Sequence, residues 1–128
     1  MNQNPFKNVF AVTLFCENLQ ASSDFYEKFL EHQAVFETET SRVFKIGDLL
    51  INLLVEGSVP ELIEPEVWGK SGQNDVFTVH VDELDSEIKR LERHGFEFLN
   101  GPILRSWGIR ALTVQDPDGH IWEVAQEL

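Results

Sequence analysis

The stretch "SWGIRALTVQDPDGHIWEV", Ser106 to Val124, decides the fold. At its centre "DPDG", Asp116 to Gly119, has the chemistry of a tight turn. Proline suits the second turn position and glycine the last. The flanks "GIRALTVQ" and "HIWEVAQ" are rich in β-branched and apolar residues, so the segment reads as two antiparallel strands joined by a hairpin. Alternation along the second strand puts Trp122 and Val124 on one face and Ile121, Glu123 and Ala125 on the other. A carboxylate in mid-strand needs water or a partner. Counting back from a four-residue turn pairs Leu112 with Glu123 and Arg110 with Ala125. That places Arg110 on the face of Glu123, within diagonal reach of it.

Upstream of this hairpin, "VFTVHV" (Val76 to Val81) reads as a strand. "DELDSEIKRLERHG" reads as a helix, with Leu84, Ile88 and Leu91 on one face, Asp85 and Lys89 as an i,i+4 pair, and Gly95 as its stop. "FEFLNGP" is a further short strand, so the second half runs β-α-β-β-β. The first half repeats that order. Its elements are a strand from Val9 to Cys16, a helix in "ENLQASSDFYEKFLEHQ" capped by Asn18, and strands Ala34 to Thr40, Arg42 to Gly47 and Leu49 to Val55. The helix presents Leu19, Ser22, Phe25, Tyr26, Phe29 and Leu30 on one side. Two anchors superpose the halves: "TLFCENL" on "TVHVDEL", and "GDLLINLL" on "DGHIWEVA". In the second anchor Asn52 falls opposite Glu123.

"SVPELIEPEVWGKSGQND", Ser58 to Asp75, breaks the pattern with prolines, glycines and polar residues and reads as a linker. The expected organisation is one domain over 1–128, with module 1 over 6–57, the linker over 58–74 and module 2 over 75–128. Each module is then a sheet covered by a helix on one face. Val12 and Leu14, Phe77 and Val79, and Trp122 and Val124 belong to the covered faces. Ala11, Thr13 and Phe15, Val76, Thr78 and His80, and Glu123 belong to the uncovered ones. The fold class is α+β: two βαβββ modules forming a concave mixed-sheet cleft, with the helices on the outer face.

The chain has 128 residues, and 22 acidic against 10 basic residues give a net charge of −12. Such a charge opposes nucleic acid and anionic membranes as partners and suits a cationic ligand. No apolar run approaches the ~18 residues of a membrane span, and the N-terminal "MNQNPFKN" has no apolar core of a signal peptide. The single cysteine, Cys16, cannot form an intramolecular disulfide and fits a reducing compartment, so a cytoplasmic location is expected.

"ENLQASSDFY" (Glu17 to Tyr26), "VDELDSEIKRLERHGFEF" (Val81 to Phe98) and the opening stretch together resemble the vicinal oxygen chelate superfamily. That superfamily contains glyoxalase I, extradiol dioxygenases, fosfomycin-resistance enzymes and bleomycin-resistance proteins. The resemblance implies paired β-α-β-β-β modules and a homodimer. It also implies, for metal-dependent members, one ligand on the first and last strand of each module. Those positions hold Ala11, Asn52, Val76 and Glu123, and only Glu123 keeps a ligand-type side chain. Alanine and valine have no donor atom and an amide oxygen is a weak ligand, so no metal and no other cofactor is expected. His80 lies far along its strand from Val76, His32 and His94 fall at helix ends, and His120 falls in the hairpin.

No glycine-rich phosphate loop, G-x-S-x-G elbow or nucleophile–base pair is present, so no catalytic residue is assigned. A binding pocket is the expectation. Phe15, Trp68 and Trp107 supply flat apolar area, while Thr13, Asn52, Thr78, Arg110 and Glu123 supply polar groups. Glu61, Glu64 and Glu66 beside Trp68 suit a ligand that is cationic and aromatic. Within the resemblance, the bleomycin-resistance class shares the length, the acidity, the missing ligands and the "WG" before the seventh strand. The reading is a metal-free protein that sequesters a cationic antibiotic of the bleomycin type. A metal-dependent lyase, isomerase or dioxygenase, and a non-catalytic interaction module, stay open as alternatives.

Overall fold

Among the described residues, each half of the chain builds one four-stranded mixed sheet and one helix. The computed structural model describes residues 5, 8–55 and 75–128, and the chain divides into two units, 1–68 and 69–128. In the first unit, β1 (Ala11–Cys16), α1 (Leu19–Leu30), β2 (Phe36–Glu37), β3 (Ser41–Ile46) and β4 (Leu49–Val55) form a sheet of order β1-β4-β3-β2. In the second, β5 (Val76–His80), α2 (Leu84–Arg93), β6 (Asn100–Leu104), β7 (Ile109–Gln115) and β8 (Ile121–Glu127) form one of order β5-β8-β7-β6. The first and last strands of each unit pair in parallel, and the other pairs are antiparallel. These are the two βαβββ modules expected from the repeat.

Asn18 caps α1 as expected, its side-chain oxygen accepting from the Ala21 amide at 3.0 Å. The helix buries Ser22, Ser23, Tyr26 and Phe29 on the side that packs on β3 and β4. Leu14, Phe44, Ile51 and Leu53 are buried on the matching strands, and the Tyr26 and Phe44 rings lie 6.1 Å apart. β2 is only two residues long, against the seven expected from Ala34 to Thr40. The cause is local: the Thr38 hydroxyl accepts from the Thr40 and Ser41 amides at 3.2 and 3.0 Å. Such side-chain-to-backbone bonds offer the chain a turn in place of a ladder.

In the second unit, α2 takes its cap from the tertiary structure. Glu83 at the N-cap makes no side-chain cap bond. Instead the Leu84 amide donates to Gln126 Oε1 of β8 at 2.8 Å. Leu84 and Leu91 are fully buried, as are Leu112 and Val114 on β7, while Trp122 and Val124 on β8 are nearly so. Gly95 ends the helix region with φ +82°, as expected. Asp85, expected to pair with Lys89 along the helix, bonds Arg110 on β7 at 2.8 Å.

The β7–β8 hairpin differs from the sequence reading by one residue. The Gly119 amide donates to the Asp116 carbonyl at 3.1 Å, and the Asp116 amide to the His120 carbonyl at 2.8 Å. With Gly119 at φ +94°, the loop proper is Pro117, Asp118 and Gly119, a turn closed by a left-handed residue. Gln115 therefore pairs with Ile121, Thr113 with Glu123 and Arg110 with Gln126. A one-residue slip exchanges the faces of a strand. Arg110 thus stands on the α2 side of the sheet, and its expected reach to Glu123 is corrected.

Among the described residues, no helix is long and apolar enough to cross a membrane.

Candidate functional site

Glu123 sits in the middle of a polar row that crosses the second sheet. Its partner on β5 is Thr78, its partner on β7 is Thr113, and Thr113 is paired in turn with Asn100 on β6. Directly opposed residues project to the same face, so the four side chains line up on the face turned away from α2. Thr78 and Asn100 are exposed, and Glu123 and Thr113 half-buried. The Thr78 hydroxyl donates to Glu123 Oε1 at 3.0 Å. No basic side chain pairs with Glu123 among the described residues, because Arg110 is held by Asp85 on the other face. On one side the row is bordered by Ala125 and Ala111, a directly opposed pair with no exposed surface.

The equivalent row of the first sheet has different chemistry. Thr13 pairs with Asn52, Asn52 with Val43, and Val43 with Phe36. Asn52 Nδ2 donates to the Thr13 hydroxyl at 3.5 Å, the outer limit of a hydrogen bond. Asn52 Oδ1 is buried without a hydrogen-bond partner among the described residues. Phe15 stands on the same face two residues beyond Thr13 and is half-buried.

The structure therefore brings the sequence-predicted residues together in two pairs, Thr13 with Asn52 and Thr78 with Glu123. Trp107 lies in the turn between β6 and β7, 69% exposed, with the Arg105 guanidinium 6.0 Å above its ring. Arg110 is removed from the Glu123 face. Trp68, with Glu61, Glu64 and Glu66, lies outside the described residues. Thr113 and Asn100 were missed from sequence because they join the row only through the true register. The available signal was the glycine closing "DPDG", which permits a three-residue loop as readily as a four-residue one.

The four positions that the resemblance assigns to metal ligands hold Ala11, exposed on β1, Val76, 55% exposed on β5, and the half-buried Asn52 and Glu123. Among the described residues, no three His, Cys, Asp or Glu side chains gather as a metal site. One carboxylate and one amide do not make a donor set for a divalent ion.

Comparison with known proteins agrees with this architecture. The chain is 25% identical over 119 residues to RDO1, a glyoxalase domain-containing protein of Mycosarcoma maydis. The match covers 89% of this chain but 65% of that protein, so the chain spans less than two thirds of its relative's length. A glyoxalase/bleomycin resistance protein/dioxygenase from Nocardioides superposes with a TM-score of 0.83 at 21% identity, covering 98% of this chain and 87% of its own. An enzyme of that family from Burkholderia phytofirmans PsJN also gives 0.83, at 16% identity over 95% of this chain and 100% of its own. At such identities the likeness is one of fold. The model of the Glyoxalase/Bleomycin resistance protein/Dioxygenase superfamily matches residues 8–124, and the chain belongs to that superfamily.

Proposed function

We propose that this protein binds a small cationic molecule without using a metal ion, in the manner of the bleomycin-resistance members of its superfamily. One observation carries the reading. Glu123 is a half-buried carboxylate on a sheet face, steadied by the Thr78 hydroxyl and lacking a basic partner among the described residues. A carboxylate so placed has a charge to offer a ligand, and holding it in position lowers the entropic cost of binding. The net charge of −12 favours approach of a cation. It opposes nucleic acid and anionic membranes, so neither is proposed as a partner. Thr13, Phe15, Asn52, Thr78, Trp68 and Trp107 remain proposed ligand-binding residues in addition to Glu123, and a cytoplasmic homodimer remains the proposed state. Arg110 is withdrawn from that set.

Titration calorimetry with bleomycin-type glycopeptides and simpler organic cations, on wild type and Glu123→Gln, tests the reading. Binding that is lost in the variant is the expected result. No heat from any cation at high micromolar concentration would sink it. A stoichiometric divalent ion in protein purified without chelators would instead support the metal-dependent alternative.

A further inference from the structure

We infer that the row Thr78–Glu123–Thr113 reads the N–H donors of a primary ammonium group, and that Thr113 is its specificity-determining residue. The inference rests on the cation-binding reading above and names the class of cation. Glu123 is flanked on both neighbouring strands by hydroxyls, with directly opposed Cβ atoms about 4.5–5.5 Å apart. Thr78 gives its only hydroxyl proton to Glu123 Oε1, so its lone pairs are left to accept from another donor. The Thr113 hydroxyl has no hydrogen-bond partner among the described residues, and its side chain stands half-buried beside the carboxylate. Two hydroxyl acceptors and one carboxylate match the three donors of an ammonium group, which has no acceptor of its own.

Among the described residues, the strand positions of the Glu123 face hold no Phe, Tyr or Trp ring for a quaternary ammonium. That cation has no N–H and is held by aromatic rings. Phe77 and Trp122 lie on the α2 side, their rings 5.1 Å apart. The imidazole of His80 is on the Glu123 face, but its Nδ1 lies 3.5 Å from Glu127 Oε1. The repeat supplies an internal contrast. Where the second sheet has Glu123 beside Thr113, the first has Asn52 beside Val43. That row has neither the charge nor the second hydroxyl.

Two probes of equal charge and chain length separate the cases: 1,6-diaminohexane and its fully methylated counterpart hexamethonium. Chemical-shift titration at neutral pH should show the diamine binding at least about tenfold more tightly, as expected for charge-assisted hydrogen bonds. Thr113→Val should lose about tenfold in diamine affinity, leave hexamethonium unchanged, and be rescued by Thr113→Ser. Equal binding of the two probes, both abolished by Glu123→Gln, overturns this inference while leaving the cation reading in place. So does a Thr113→Val protein that folds and binds the diamine as wild type does. If neither probe, nor any other cation, binds wild type, the cation reading fails and this inference with it.

Discussion

Replacing Gly101 by alanine tests the close approach of β6 to β7, and hence the placement of Asn100 beside Thr113. Gly101 has φ +90°, and a Cβ added there would lie 2.5 Å from the Ala111 carbonyl oxygen, 3.0 Å from Leu112 Cα and 3.2 Å from the Ile103 nitrogen. All three are backbone atoms and cannot swing aside. Gly108 provides the matched control, with φ +88° and nothing within 4 Å of the added carbon. Both variants carry the cost of a left-handed alanine, about 1–2 kcal/mol. Only Gly101→Ala adds overpacking, which is worth about 1–3 kcal/mol where neighbours yield partially. The expected losses are therefore about 2–5 kcal/mol for Gly101→Ala and about 1–2 kcal/mol for Gly108→Ala. Against a total stability of about 5–15 kcal/mol, the first is a large fraction. Urea denaturation followed by tryptophan fluorescence measures both, provided the two transitions keep the same m-value. If the variants agree within about 0.5 kcal/mol, β6 does not press on β7 at Gly101 and the steric argument is refuted.

Three further outcomes follow from the register and the packing. The Asp85–Arg110 pair is solvent-screened, with side chains 73% and 33% exposed. A double-mutant cycle should therefore give a coupling of only about 0.2–1 kcal/mol, and Arg110→Met should leave Glu123-dependent binding intact; loss of that binding would return Arg110 to the Glu123 face. Gln126→Ala removes the acceptor for the Leu84 amide and should cost about 0.5–2 kcal/mol, with faster hydrogen exchange confined to the first turn of α2; unchanged exchange there would show that the cap is not used. Phe44→Ala empties a fully buried site beneath Tyr26 and should cost about 3–5 kcal/mol in the same urea assay, whereas a loss below about 1 kcal/mol would contradict its place in the core.

Most of the architecture was legible in the sequence, for local reasons. Period-2 alternation separated Trp122 and Val124 from Glu123, and both residues of the first set are buried while Glu123 is half-exposed. Asn18 announced the start of α1 by its capping chemistry. The repeat set Asn52 opposite Glu123, and both prove to be partnered by the equivalent threonines, Thr13 and Thr78. Each of these depends on residues close in sequence or on a pattern repeated along it.

What the tertiary structure decided was register and partnership. "DPDG" is compatible with loops of three or four residues, and local chemistry barely separates them. The choice fell to the whole hairpin, through the burial of Leu112 and Val114 on the side of Leu84 and Leu91. Because the side-chain period of a strand is two, that single residue moved Arg110 from Glu123 to Asp85 and brought Thr113 to the carboxylate in its place. The cap of α2 is a partnership of the same kind, supplied by Gln126 from 42 residues away. The sequence by itself determined the order of the elements and the faces of β1, β5 and β8; long-range packing decided the face of β7 and which residues stand beside Glu123, because a choice between two registers is made by the summed burial of both strands rather than by the turn that joins them.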